Sequence, residues 1–132
     1  MIISIRRRLL ETFFREVQQN HLQQTQEMLD NHPMLVFKKD KLGDTAFMWA
    51  AAMGLKDMVY LLLEREAPIG VCNLNGDTAI HCAARKQHFE IALALLQRCP
   101  SIQYQANYQE QTPLFWFPTP QSSATLLPFK RK

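Results

Sequence analysis

Apolar residues recur near the start of the chain at helical spacing. Leu9, Leu10, Phe13, Phe14 and Val17 share one stripe, with Arg7, Glu11, Arg15, Gln18 and Gln19 on the opposite face, so the pattern predicts an amphipathic helix. "NHLQQTQEMLDNHP" then predicts a second, much more polar helix that ends before Pro33. Two further pairs follow. Their first members are short and Ala-rich (Ala50, Ala51, Ala52; Ala83, Ala84), which allows a neighbouring helix to approach closely. Their second members carry Met58, Val59, Leu61, Leu62 and Leu63, then Ile91, Ala92, Leu93, Leu95 and Leu96. Thr45, Thr78 and Thr112 stand just before apolar runs, where a hydroxyl accepts from the backbone N–H three residues on and caps a helix. Pro113 falls at a first helical position, where its missing N–H does no harm. Gly54 is placed to stop a helix in the left-handed region, and Asn75-Gly76 is a hairpin-turn signal.

The pattern is periodic. "GDTAFMWAAAMG" begins at Gly43 and its counterpart "GDTAIHCAARKQ" at Gly76, a period of 33. Leu62-Leu63 recurs as Leu95-Leu96 at the same interval, and Met58 and Val59 recur as Ile91 and Ala92. Stepping backwards by the same interval carries Thr45 to Thr12, Phe47 to Phe14, Ala50 to Val17 and Leu62 to Leu29. Going forwards, Thr78 meets Thr112 one position late, so one residue is inserted. The expected organisation is a single domain, 1–132, of units 9–37, 38–70, 71–104 and 105–132. One such layer cannot bury its apolar face alone, so the units must stack. The repeated motif is scaffold and does not by itself specify function.

The residues that carry the period, "GDTAIHCAA…LALLQ", "GDTAFMWAA…YLLLE" and "EQTPLFWF", resemble those of the ankyrin-repeat family. The resemblance covers 38–117 well and 9–37 as a degraded unit. It implies an all-α solenoid of stacked helix-turn-helix units with short hairpin loops: about three repeats, the first a degraded cap, and an atypical, Pro-interrupted C-terminal repeat with a basic tail. It also resembles the compact stand-alone ankyrin proteins that intracellular bacteria or viruses deploy inside host cells. Against the family pattern, Ala46 and Ala79 replace Pro, and Met48 and Phe115 replace His, leaving His81 to bond Thr78. Gln87 and His21 stand where Gly is expected. Glu110 replaces the Gly of the third tip, so that hairpin is expected to be irregular.

Composition narrows the function. The chain of 132 residues carries a net charge of only +3, with basic clusters at Arg6-Arg7-Arg8 and Lys130-Arg131-Lys132. Nucleic acid is therefore not the expected partner. Three cysteines without a CxxC spacing point to a reducing, cytoplasmic location rather than a disulfide framework. "MIISIRRRLL" is not a secretory signal, because its apolar part is short and precedes the basic residues. No apolar run reaches the ~18–20 residues of a membrane span. His81 and Cys82 are adjacent, but helix neighbours point about 100° apart, so no catalytic dyad is expected. No metal-ligand spacing, phosphate loop or cofactor motif appears. Pro118 and Pro120 forbid a continuing helix. Phe115, Trp116, Phe117, Leu126, Leu127 and Phe129 are expected to fold back as a cap, with a docking segment for a partner as the rival reading.

The resemblance implies binding by the tips and by the exposed side of the first helices. By position these are Lys39, Lys41 and Leu42, then Leu74 and Asn75, then Tyr108 and Gln109 on the tips. On the helices they are Trp49, Ala52 and Met53, then Cys82, Arg85 and Lys86, then Trp116. Trp49 and Arg85 lead, because aromatics and arginine dominate interface energetics. The same residues also serve a plain structural reading, with Trp49 packing on the next repeat and the lysines solvated. The expected function is protein–protein recognition by a monomeric domain acting as inhibitor or adaptor, without cofactor, catalysis or small-molecule substrate. The expected partner offers an acidic or mixed peptide surface. The alternative is association with nucleic acid or acidic membrane through the basic ends, marked by steep salt dependence.

Overall fold

The computed structural model describes residues 2–118, within which every regular element is helical. Helices α1 (Ile2–Gln18) and α2 (Leu22–Asn31) form the first pair, α3 (Ala46–Met53) and α4 (Lys56–Glu64) the second, α5 (Ala79–Arg85) and α6 (Phe89–Arg98) the third. Short 3-10 segments at Pro33–Phe37, Pro100–Tyr104 and Pro113–Trp116 each begin on proline, whose fixed φ suits a first helical position. The first helices pack in a row: α1 on α3, α3 on α5, and α5 on Pro113–Trp116. α2 lies on α4 behind them.

Each layer contributes one large residue at equivalent places to the core. Phe13, Phe47 and Ile80 are fully buried and Leu114 nearly so, each worth about 1.5–3 kcal/mol relative to exposure. Ala50, Ala51, Ala83 and Ala84 are also completely covered. Their small side chains let the row of first helices close up. Thr45 Oγ1 caps α3 by accepting from Met48 N at 3.2 Å. Thr78 caps α5 reciprocally: its Oγ1 accepts from His81 N, and its own N–H donates to His81 Nδ1 at 3.1 Å.

Four expectations need correction. Thr112 makes no side-chain cap, because the helix after it is a single 3-10 turn; Phe117, held extended before Pro118, ends it. The first unit lies one position farther from the second than the expected period. Asn20, not His21, takes the left-handed place of Gly54, and α2 starts at Leu22 where the period from Lys56 of α4 would put Gln23. Thr12 consequently lies inside α1, which already begins at Ile2, upstream of the expected unit start at 9. The Asn75-Gly76 tip reverses with only Gly76 at positive φ, whereas the favoured two-residue hairpin turn needs both. The third tip is regular. Glu110 adopts φ 64° in place of glycine, and its N–H donates to Asn107 O at 2.9 Å, as Gly76 N–H does to Asn73 O.

Toward the end of the described chain, Leu114 and Phe117 are buried, and the Phe117 ring lies 4.8 Å from that of Phe89. Trp116 is half-buried and Phe115 exposed. Pro120, Leu126, Leu127, Phe129 and the basic Lys130-Arg131-Lys132 lie outside the described residues.

Candidate partner-binding groove

The tips between layers are built by one side chain used three times. Asp40, Asn73 and Asn107 each stand five residues before Thr45, Thr78 and Thr112. Each folds its Oδ1 back onto two backbone N–H groups ahead of it: Leu42 and Asp44, Asn75 and Asp77, Gln109 and Gln111, all at 2.9–3.0 Å. Such a side-chain turn competes well with strand pairing, and the one β-bridge among the described residues joins Lys39 to Thr45.

The tips are then stapled to one another. Asn73 Nδ2 donates to Asp44 Oδ1 and Asn107 Nδ2 to Asp77 Oδ1, both at 2.8 Å. Leu74 N donates to Leu42 O at 3.1 Å and Tyr108 N to Asn75 O at 3.0 Å. Lys39 Nζ adds a bond to Cys72 O at 3.0 Å. These bonds hold the tips in one rigid row, from which Leu42, Leu74 and Tyr108 project with 63%, 67% and 72% of their surface exposed. Lys41 and Asn75 are exposed beside them.

On the first helices the predicted residues divide. Met53 and Lys86 are exposed. Trp49 is half-buried, and its Nε1 donates to Asp40 Oδ2 at 2.8 Å, which fixes the indole against the first tip. Arg85 Nη2 donates to Asp77 Oδ2 at 2.7 Å, and its guanidinium lies 4.7 Å from the Trp116 ring centroid. Asp77 is fully buried, so Arg85 supplies the counter-charge that a buried carboxylate requires. Cys82 is buried. Burial, with Asp77 and Asp44 nearby, pushes its thiol up to about 12, far from the thiolate that a nucleophile needs. His81 is committed as well. Nδ1 accepts from Thr78 N–H, so Nε2 carries the proton and donates to Gln111 O at 3.0 Å. Burial lowers its pKa from the ordinary 6.5.

Several residues of this surface were missed in the sequence. Asp40, Asn73 and Asn107 recur at the repeat interval and carry the tips. Asp44 and Asp77, inside the repeated Gly-Asp-Thr-Ala, receive the bonds between layers. Arg7 and Arg15, placed opposite the apolar stripe, line a cavity of about 870 Å³ with Leu10, Phe14, Lys39 and Lys41. Their signal was positional: Arg7, Glu11, Arg15 and Gln18 share the helix face that turns toward the first tip. Farther along, a pocket of about 190 Å³ is lined by Asp44, Trp49, Ala52, Asp77, Cys82, Arg85 and Lys86, among others. Asp40 lines the first cavity and accepts from Trp49, which lines the second, so the two adjoin across that pair. No group of three or more potential metal ligands occurs among the described residues, and none of their helices is long and apolar enough to cross a membrane.

Stacked helix pairs joined by projecting tips, with the first helices lining a groove, define a repeat scaffold. A model of three ankyrin repeats matches residues 13–107, and the chain belongs to the ankyrin-repeat family. It is also similar to Inversin of Danio rerio, 36% identical over 61 residues. That match takes in 45% of this chain and 6% of Inversin, so the chain spans a small part of that relative's length. Ankyrin repeats are in general protein–protein interaction modules and non-catalytic scaffolds.

Proposed function

We propose that this protein recognises a protein partner by laying a peptide segment along its groove, and acts as an adaptor or inhibitor of that partner. One observation carries the reading. The stapled tips hold exposed Leu42, Leu74 and Tyr108 in a row beside exposed Met53 and Lys86. Large apolar side chains held in water on a rigid backbone mark an interaction site, and a preformed row lowers the ordering cost of binding.

The electrostatics favour a segment of mixed charge over a purely acidic one. Arg85 is neutralised by Asp77, and Lys39 is tied to Cys72 O. Lys41, with Arg7 and Arg15, offers positive charge toward the first end of the groove and Lys86 offers it in the third layer, whereas Asp44 offers negative charge between them. Three unpaired cysteines fit a reducing compartment.

The test is affinity capture from cell lysate by the wild-type protein beside a Met53→Glu, Leu74→Ser, Lys86→Glu variant. All three side chains are exposed, so circular dichroism is expected to show an unchanged fold. A protein retained by the wild type and lost by the variant supports groove recognition. Equal retention by both refutes it.

A further inference from the structure

One of the positions at which the second and third layers differ decides whether the repeated aspartate has an ion-pair partner. Asp44 and Asp77 are equivalent in the repeat, and so are Ala52 and Arg85. In the third layer the chain completes its own ion pair: Arg85 reaches Asp77 at 2.7 Å and lies over an aromatic ring, Trp116, at 4.7 Å. In the second layer alanine stands where that arginine would be. Asp44 forms no ion pair among the described residues. The space left is the pocket of about 190 Å³ between Trp49 and Arg85, far above the ~10–15 Å³ that one water needs.

We propose that this pocket receives an arginine side chain of the partner segment, its guanidinium paired with the Asp44 carboxylate beside the Trp49 ring. The inference rests on the groove reading above and names one residue of the segment that the groove takes. The Trp49 indole is held in place through Asp40 before any ligand arrives. An aromatic ring and a carboxylate lining one pocket suit a planar cation better than a compact ammonium, because guanidinium stacks and donates in a fork. The nearby charges permit it: Arg85 is already balanced by Asp77, and Lys86 is exposed on a long stem that can swing into water. Partial burial, with Asp40 and Asp77 nearby, raises the Asp44 pKa from its ordinary 3.8 despite the bond from Asn73.

The test uses the full 132-residue protein and two small probes, N-acetyl-arginine amide and its neutral isostere N-acetyl-citrulline amide. The readout is the NMR signal of the Trp49 indole N–H. The arginine probe is expected to shift it saturably, and the citrulline probe to bind about ten-fold more weakly or worse, the equivalent of one charge-assisted hydrogen bond. Asp44→Asn keeps the acceptor for Asn73 and loses the charge, so it is expected to weaken the arginine probe by the same factor. Ala52→Arg is expected to fill the pocket from within and abolish the shift. No shift with arginine, or equal binding of both probes, overturns the proposal. A displayed random-peptide library separates this from the broader reading. Peptides that need Met53 but lack arginine leave the groove function standing and sink the arginine pocket. Finding no Met53-dependent peptide sinks the groove function itself.

Discussion

Replacing Gly43 by alanine puts a methyl group where the second tip closes over the first. Gly43 sits at φ +82°, and a Cβ there would lie 2.9 Å from Leu74 N and 3.2 Å from Asn73 Cα. Both are backbone atoms, and Leu74 N is the donor to Leu42 O that ties the two tips. Relief therefore has to stretch that bond. A left-handed alanine costs about 1 kcal/mol, and the weakened inter-tip bond about 1 kcal/mol more, so the expected loss is about 2–3 kcal/mol with overpacking included. At about 2.1 cal/mol/K of unfolding entropy per residue, 132 residues give roughly 0.28 kcal/mol/K, and Tm falls by about 7–11 °C. The last tip supplies the opposite experiment. Glu110 already holds φ 64° without glycine, and no further tip covers it among the described residues. Glu110→Gly relieves strain without creating a gap, and is expected to raise stability by up to about 1 kcal/mol. Thermal and urea melts followed by far-UV circular dichroism measure both. A Gly43→Ala protein melting within about 2 °C of the parent would refute the packing argument.

Other outcomes follow from single residues. Thr25 Oγ1 is fully buried without a partner, at the place of Val59 and Ala92 in the later layers; Thr25→Val is expected to raise the urea-extrapolated stability by about 1 kcal/mol. Arg85→Ala leaves Asp77 buried and unpaired and is expected to cost about 2 kcal/mol in the same melts, below the fully buried case because Arg85 is 37% exposed. Burial lowers the pKa of His81, so the unfolded chain takes up a proton first as pH falls. Stability is therefore full above pH 6.5 and declines from there down to the lowered native pKa. Urea midpoints at several pH values are expected to show this decline, and His81→Gln to flatten it. Cys82, buried and with its pKa near 12, is expected to resist maleimide at pH 7.5 while half-buried Cys72 and Cys99 react; mass spectrometry of the labelled protein reads the count.

The parts of the fold legible in the sequence were those whose chemistry acts within a few residues. The Thr45 and Thr78 caps, the left-handed stop at Gly54, the Ala-rich first helices and the Leu-Leu pairs each act locally, so each appears in order at the repeat interval. The misreadings came where local signals were eroded. The first unit has no capping threonine in register, so stepping back from Thr45 landed on Thr12 inside α1, one residue out. At the third tip the loss of glycine drew attention to Glu110, although Asn107, two positions before Gln109, was keeping the turn regular.

The candidate groove shows the same division. The exposure of Leu42, Leu74, Tyr108, Met53 and Lys86 was legible from position in the repeat, because it follows helix face and tip geometry. What each remaining polar group does was not legible. Arg85 looked like a binding residue and is held by Asp77 and Trp116; Asp44 looked like scaffold and is a groove carboxylate that forms no ion pair among the described residues. Those roles depend on partners in the next layer, Asn73 for Asp44 and Asn107 for Asp77. The order of residues along the chain determined that layers form and stack. Which charges those layers neutralise, and which they leave facing the groove, was decided only when stacking brought distant side chains within hydrogen-bonding distance.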